Sequence, residues 1–380
     1  MNKKAIISVS LAAGMVLGMG AVPAISRIEE RQSLTAVAAT SGTTTDGWKF
    51  SADDTHCTIT GAADTLQGEV TMPASITLAD GTALPVTEID SGFRYSGKYI
   101  TGLTIPGSIN VIGRYAFMDM NNLATVKFEG KMIALNEKVF SDCTSLESVT
   151  LPEGLVELGE SCFSGCTRLS NIKLPSTLST LGKGAFYACE SLKSVTIPGK
   201  VTEIPESAFA LCYALQDVTI ENGVKTIAPF AFGACDSIVD ITIPKSVTTI
   251  SGSNSYCMLS NWGKYAANVK SVTIENPDCN FWHFEGTEEK PLTIYGYEGS
   301  TAQKYCDENG ERCHVVFKSI GEKPAPEPVK DYGVFCDANG DGEVDAADAQ
   351  LVLVYYVEKM AGKEPSWYTL TKNPKAPDAP

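Results

Sequence analysis

Through the middle of the chain the apolar positions recur every 23 residues. Phe117, Phe140, Phe163, Phe186, Phe209 and Phe232 form one column, and Leu123, Leu146, Leu169, Leu192, Leu215 and Ile238 a second. Val126, Val149, Ile172, Val195, Val218 and Ile241 form a third. Two more columns keep the spacing: Phe128, Leu151, Leu174, Ile197, Ile220, Ile243, and Leu135, Leu158, Leu181, Ile204, Ile227, Ile250. Columns locked in phase mean one structural unit per period. A period of roughly 20–29 residues with aliphatic spacing predicts a repeat stack, one coil per unit.

A single unit, SLESVTLPEGLVELGESCFSGCT from Ser145 to Thr167, carries its own physical logic. Val149 and Leu151 alternate with Ser148 and Thr150, the period of a strand with one buried face. Pro152 follows at once, and Pro175, Pro198 and Pro244 hold the same place; a residue without an N–H ends the strand there. Leu155, Leu158 and Phe163 fill the returning half of the coil. No coil covers its own apolar columns, so each one needs neighbours above and below.

These units, clearest at SLKSVTIPGKVTEIPESAFALC from Ser191 to Cys212, resemble the BspA-type leucine-rich repeat. The resemblance spans residues 101–278. The expected fold class is an α+β repeat solenoid, a right-handed leucine-rich-repeat stack of 23-residue units with a small helical calcium-binding module at its C-terminus. LPVTEIDSGF, within an N-terminal cap at 46–100, and LTIYGYEGSTAQKYCDENG, within a C-terminal cap at 279–318, resemble the family's usual caps. The resemblance implies a secreted or surface protein that binds other proteins or surfaces without chemistry, and it names no ligand.

Five of the twelve cysteines, Cys143, Cys166, Cys189, Cys212 and Cys235, fall on the same register, with Met120 one unit earlier. They form an inward column of packed thiols, free cysteine being among the most buried residue types. Disulfides between adjacent coils are the alternative, since strands lie about 4.8 Å apart and a bridge needs Cα atoms about 4.4–6.8 Å apart. Zinc is disfavoured, with no histidine inside the repeats. In the C-terminal cap, Cys306 and Cys313 are the pair to test for a bridge.

The outward positions of the predicted strands are short and polar: Thr125, Ser148, Asn171, Ser194, Asp217, Asp240, and Lys127, Thr150, Lys173, Thr196, Thr219, Thr242. About nine strands make a face roughly 43 Å long, better suited to a flat protein partner than to a sugar. The period breaks once, Ile241 to Val272 being 31 residues. Repeat insertions map to loops and often to binding faces. This one makes Trp262 and Tyr265, with nearby Tyr256 and Trp282, the candidate ligand-binding residues; a loop folded over the core to cover its own Trp is the alternative.

Residues 1–24, with Lys3 and Lys4 ahead of an apolar run that ends in Val-Pro-Ala, read as a secretory signal peptide. Cleavage is expected after Ala24, with a second small-residue site at Ala38; an uncleaved anchor is the alternative. A linker at 25–45 would follow. No other segment is apolar enough to span a bilayer, so the mature protein is expected outside the cytoplasm.

Residues 319–331 are proline-rich and charged, an extended linker. Beyond it, DANGDGEVDAAD offers side-chain oxygens from Asp337, Asn339, Asp341, Asp345 and Asp348, a backbone carbonyl at Glu343, and Gly342 for the sharp turn. A calcium loop needs such a set, so Ca2+ is the expected cofactor. Asp at the last loop position and the apolar stretch AQLVLVYYVEKMAG behind it resemble a dockerin over residues 332–380. That resemblance implies a cohesin domain of a scaffold protein as partner, recognised by Ala346, Ala347, Leu353, Val354 and Glu358. Dockerins carry two loops as a rule and this chain shows one, closed either as a half module or by Trp367 and Tyr368 folding back on Tyr332 and Phe335.

Composition narrows the function further. The formal charge of −15 argues against a nucleic-acid partner, and three histidines leave few groups for acid–base work at neutral pH. Cys279 with His283 is the one local Cys/His pair, read as a core cysteine beside a surface histidine. The favoured function is a secreted noncatalytic binding protein that docks onto cohesin scaffolds of a cellulosome-type complex for polysaccharide degradation. A cell-surface adhesin and a glycoside hydrolase component are the alternatives.

Overall fold

The computed structural model of the protein describes residues 40–152, 154–252, 258–259 and 268–324. The signal segment, the insertion aromatics Tyr256, Trp262 and Tyr265, the calcium loop, the cohesin-binding positions and residues 325–331 of the linker lie outside the described residues.

Each 23-residue unit forms one coil, and coils stack in parallel register along three lines of hydrogen bonds. The first line joins the longer strands. Gly68–Thr71, Ile100–Ile105, Thr125–Phe128 and Ser148–Thr150 pair in parallel, with Val126 opposite Val149. Ser194–Ile197 pairs with Asp217–Ile220, and Asp240–Ile243, Ser271–Ile274, Leu292–Glu298 and Val315–Glu322 form a further parallel set, with no ladder among the described residues between Asp217–Ile220 and Asp240–Ile243. The second line joins two-residue strands, Ala134–Leu135 to Glu157–Leu158 to Thr180–Leu181, and Glu203–Ile204 to Thr226–Ile227 to Thr249–Ile250 to Asn280–Phe281.

The third line runs through the turn that carries the phenylalanine. There Phe140 N donates to the Cys162 carbonyl at 2.8 Å, Phe163 N to Ala185 at 2.8 Å and Phe186 N to Ala208 at 2.8 Å. Residues two positions to either side do the same, as Lys138 N to Glu160 and Asp142 N to Ser164. Two positions per turn are left-handed: Tyr115, Lys138, Ser161, Gly184, Ser207 and Phe230, and Asp119, Asp142, Gly165, Ala188, Leu211 and Ala234. A left-handed residue costs about 1–2 kcal/mol when it carries a Cβ. Here that cost is offset by amides aimed along the stack, every second one bonding the next coil.

Between these lines lies the core. The six column phenylalanines are fully buried, their rings stacked at 5.2–5.5 Å with interplanar angles of 4–18°. Phe93 meets Phe117 edge-on at 5.3 Å and Trp48 stacks on Phe93 at 6.3 Å, so aromatic packing continues into the N-terminal cap. That cap is an antiparallel set, Thr40–Thr43, Trp48–Ala52 and Cys57–Ala62, joined to the stack through parallel pairing of Cys57–Ala62 with Ala83–Ile89 and of Ala83–Ile89 with Val111–Ile112.

Thr40–Thr43 lies in the span assigned to a linker at 25–45. All four of its residues are exposed, so no apolar alternation marks it in the sequence. At the other end the α-helix Thr301–Cys313 precedes Val315–Glu322. That strand continues past the boundary placed at 318, where its last residues pair with Leu292–Glu298 and bury no side chain to mark them in the sequence.

Gly184 and Gly165 separate backbone conformation from space. A Cβ at Gly184 would meet only Ser161 Oγ at 3.5 Å and Tyr187 Cβ at 3.6 Å, ordinary contacts, whereas one at Gly165 would overlap the Asp142 carboxylate. In urea unfolding, Gly184→Ala is expected to lose about 1 kcal/mol of stability from its positive φ alone, and Gly165→Ala distinctly more.

Candidate binding face

The outward strand residues form the face that the periodicity predicts. Thr125, Lys127, Ser148, Thr150, Asn171, Lys173, Thr196, Asp217, Thr219, Asp240 and Thr242 are exposed, while Val126, Val149, Ile172, Val195 and Ile241 between them are buried. Where neighbouring hydroxyls and carboxylates meet they bond along the stack, as Ser271 Oγ does to Asp240 Oδ1 at 2.5 Å.

Among the described residues, two hollows interrupt this face. The first, about 360 Å³, lies among Glu69, Thr71, Gly102, Thr104, Thr125 and Lys127. Gly102 opens it: a Cβ there would stand 2.8 Å from Glu69 Cγ and 2.9 Å from Thr125 Oγ1.

The second, about 380 Å³, lies between Ile172–Ser176 and Ser194–Pro198, with Glu221 at its rim. Both strand lines break at this junction. Asn171 keeps a single bridge to Ser148, and among the described residues no ladder joins its coil to Ser194–Ile197 or Thr180–Leu181 to Glu203–Ile204. Part of the cause is covalent. Gly159, Gly182, Ala228 and Ser251 each donate to the carbonyl one coil back, but the equivalent residue here is Pro205, which has no N–H to give Leu181. The third line and the Phe186–Phe209 stack, at 5.3 Å, run through unbroken. The register of the second line shows which bond Pro205 removes.

Of the four proposed ligand-binding residues, the structure places Trp282, next to the short strand Asn280–Phe281 and 56% exposed. It therefore stands at the short-strand side of its coil, a different side from the polar columns. Its neighbours Phe281, Phe284 and Tyr305 pack together at 5.2–5.3 Å.

The cysteines are core residues with a second task. All ten among the described residues are buried and free. The column thiols donate to the phenylalanine carbonyl of the preceding coil: Cys143 to Phe117 at 3.1 Å, Cys166 to Phe140 at 3.1 Å, Cys189 to Phe163 at 3.2 Å, Cys212 to Phe186 at 3.2 Å and Cys235 to Phe209 at 3.1 Å. Burial pushes the Cys143 thiol up to about 12 and holds Cys166, Cys189 and Cys235 well above the ordinary range.

A bridge between Cys306 and Cys313 is ruled out by the helix that holds both. Seven residues of helix separate them by roughly 10.5 Å, beyond disulfide reach. Cys279 is likewise buried, its thiol raised to about 12 by desolvation. His283 is not at the surface, since only 13% of its side chain is exposed; Nε2 faces Glu285 at 3.1 Å and Nδ1 faces the Tyr305 hydroxyl at 3.1 Å. A thiol raised by burial is a poor nucleophile.

A family profile for the BspA type leucine rich repeat region, in six copies, matches residues 87–214 and 134–262. Over that span the chain carries BspA-type leucine-rich repeats, in agreement with the stacked coils. Among solved structures, the chain is similar to a leucine-rich repeat protein of T. pallidum, at 26% identity over 53% of this chain and 87% of that one, TM-score 0.44. It is also similar to a leucine-rich repeat protein from Bacteroides ovatus, at 21% identity over 77% and 79%, TM-score 0.49. A leucine rich cell surface protein from Faecalibacterium prausnitzii is 19% identical over 70% and 78%, TM-score 0.39. A search of curated proteins finds no match. Among the described residues no helix is long and apolar enough to cross a membrane.

The buried thiols give a direct test. With a chromogenic disulfide reagent at pH 8, at most Cys257 and Cys336 are expected to react in the native protein, and the other ten only after denaturation. Fast native reaction of a column thiol would show that the stack opens.

Proposed function

We propose that the protein is a noncatalytic binding protein whose strand face takes a protein or surface ligand and whose C-terminal module attaches it to a scaffold. The observation that carries this reading is the in-register polar face, with apolar side chains turned inward and two hollows set into it. Coils fixed by three hydrogen-bond lines hold such a face without ordering it on binding, which lowers the entropy lost in association. The family matched is a repeat family, and no enzyme family is matched.

The attachment half rests on the sequence alone: Asp337, Asn339, Asp341, Glu343, Asp345 and Asp348 as calcium ligands, and Ala346, Ala347, Leu353, Val354 and Glu358 as the cohesin contact. On this reading the protein is secreted, and its ligand is brought to a polysaccharide-degrading complex. A surface adhesin would use the same strand face, and the same experiment separates the two. The full chain is immobilised and offered purified scaffold cohesins in calcium or EDTA. Retention in calcium and release by EDTA is the expected outcome. No retention in calcium, with EDTA-resistant binding to intact cells instead, would replace docking by adhesion; hydrolysis of plant polysaccharide by the pure protein would overturn both. Thr196→Arg, which fills the second hollow, is expected to weaken binding by the face and leave cohesin retention unchanged.

A further inference from the structure

A cluster of cationic and aromatic side chains lies on the turn side of the first coils, away from the long strands. It is built from three segments of the chain that stacking brings together. Arg94 and Tyr95 come from the short 3-10 helix Ser91–Tyr95 of the N-terminal cap, Arg114, Tyr115 and Met118 from the next turn, and Glu137 and Lys138 from the turn after it.

The Arg94 guanidinium lies 4.7 Å from the Tyr95 ring centroid and 5.8 Å from that of Tyr115. Lys138 approaches the Tyr115 ring at 5.6 Å. The one carboxylate in the group, Glu137, is already engaged. It accepts the Tyr115 hydroxyl at 2.9 Å and faces Lys138 at 3.3 Å and Arg114 at 3.6 Å, and the Tyr115 hydrogen bond with those cations holds it below the usual carboxylate range. Arg94 touches Met118 Sδ at 3.8 Å and meets no carboxylate among the described residues. Its planar fork is thus positioned by aromatic rings and left with donors to spare. Tyr95, 81% exposed, stands beside it.

We propose that this site binds a carboxylate side chain on a polypeptide partner, with Arg94 as its bidentate donor and Tyr95 and Met118 as the apolar border. The Arg94 guanidinium has no carboxylate partner among the described residues, so an acidic side chain supplies the partner its fork lacks. Tyr and Arg are also the residues over-represented at interface hot spots. A polyanionic glycan fits less well, because the positive charge does not continue along the stack. The positions that follow Arg114 are Glu137, Glu160, Lys183 and Glu206, so a run of sulfates would meet carboxylates within two coils.

The test uses the full chain over sensors coated with short peptides carrying one Glu between leucines, with their Gln counterparts, and with a heparin fragment. Binding to the Glu peptide is expected to exceed that to the Gln peptide by about tenfold to a hundredfold. Arg94→Ala should abolish the difference, and Arg94→Lys, which keeps the charge but not the fork, should lose most of it. Both variants should keep the wild-type melting curve. Equal binding of Glu and Gln peptides, no binding of either, an unchanged preference in Arg94→Ala, or tighter binding to heparin that Arg94→Ala removes would each overturn the proposal. The strand face is untouched by these variants, so its ligand binding stays as in wild type whichever result is found.

Discussion

The constraint on which everything else rests is that each coil must lie on another coil of the same length. A phenylalanine ring that stacks on its copy at 5.2–5.5 Å does so only if the chain returns to the same place after 23 residues. Once that holds, a polar group with a copy one coil away can find its partner on the neighbouring coil. The thiol column bonds the phenylalanine carbonyls, and Asn122 and Asn136 side chains bond the carbonyls of Lys98 and Ile112. The left-handed turn residues belong to the same account: their strain persists because the amides they reorient belong to a line shared by the whole stack.

The ends of the stack show the constraint from the other side. A terminal coil has one apolar face without a copy to cover it. At the N-terminal end Trp48 and Phe93 supply aromatic area of the right shape. At the other end Phe281, Phe284 and Tyr305 gather against the helix Thr301–Cys313, with the Tyr305 hydroxyl bonded to both backbone groups of Phe284. Burial raises the Tyr305 phenol above its ordinary range, consistent with a structural hydroxyl.

What the sequence made legible follows the same division. The core columns and the outward polar columns were readable because burial writes a period into residue type. Thr40–Thr43 and the tail of Val315–Glu322 were not, because strands that bury nothing leave no such period. The left-handed turn positions were hidden by their occupants, two glycines among residues such as Ala188, Ser161 and Lys138. The thiols show in the sequence only as core filler, because volume is visible there and a hydrogen bond to a carbonyl 26 residues earlier is not. The cation site is a mixed case. Tyr115 and Lys138 are one period apart and could have been paired on the register, but Arg94 enters from a cap helix that the period does not reach.

A periodic face raises a problem of its own for recognition. If every coil presented the same outward residues, a partner would find equivalent positions roughly every 4.8 Å and could not choose among them. Specific placement therefore has to come from departures from the repeat. Among the described residues such departures include Gly102, where a missing side chain opens a hollow; Pro205, where a missing N–H interrupts a ladder; and Arg94, where a cap residue joins two turns. The repeats make the surface rigid and long, and the departures give it addresses. Substitutions at these three positions should alter where a partner sits, whereas substitutions in the threonine columns should alter only how tightly it is held.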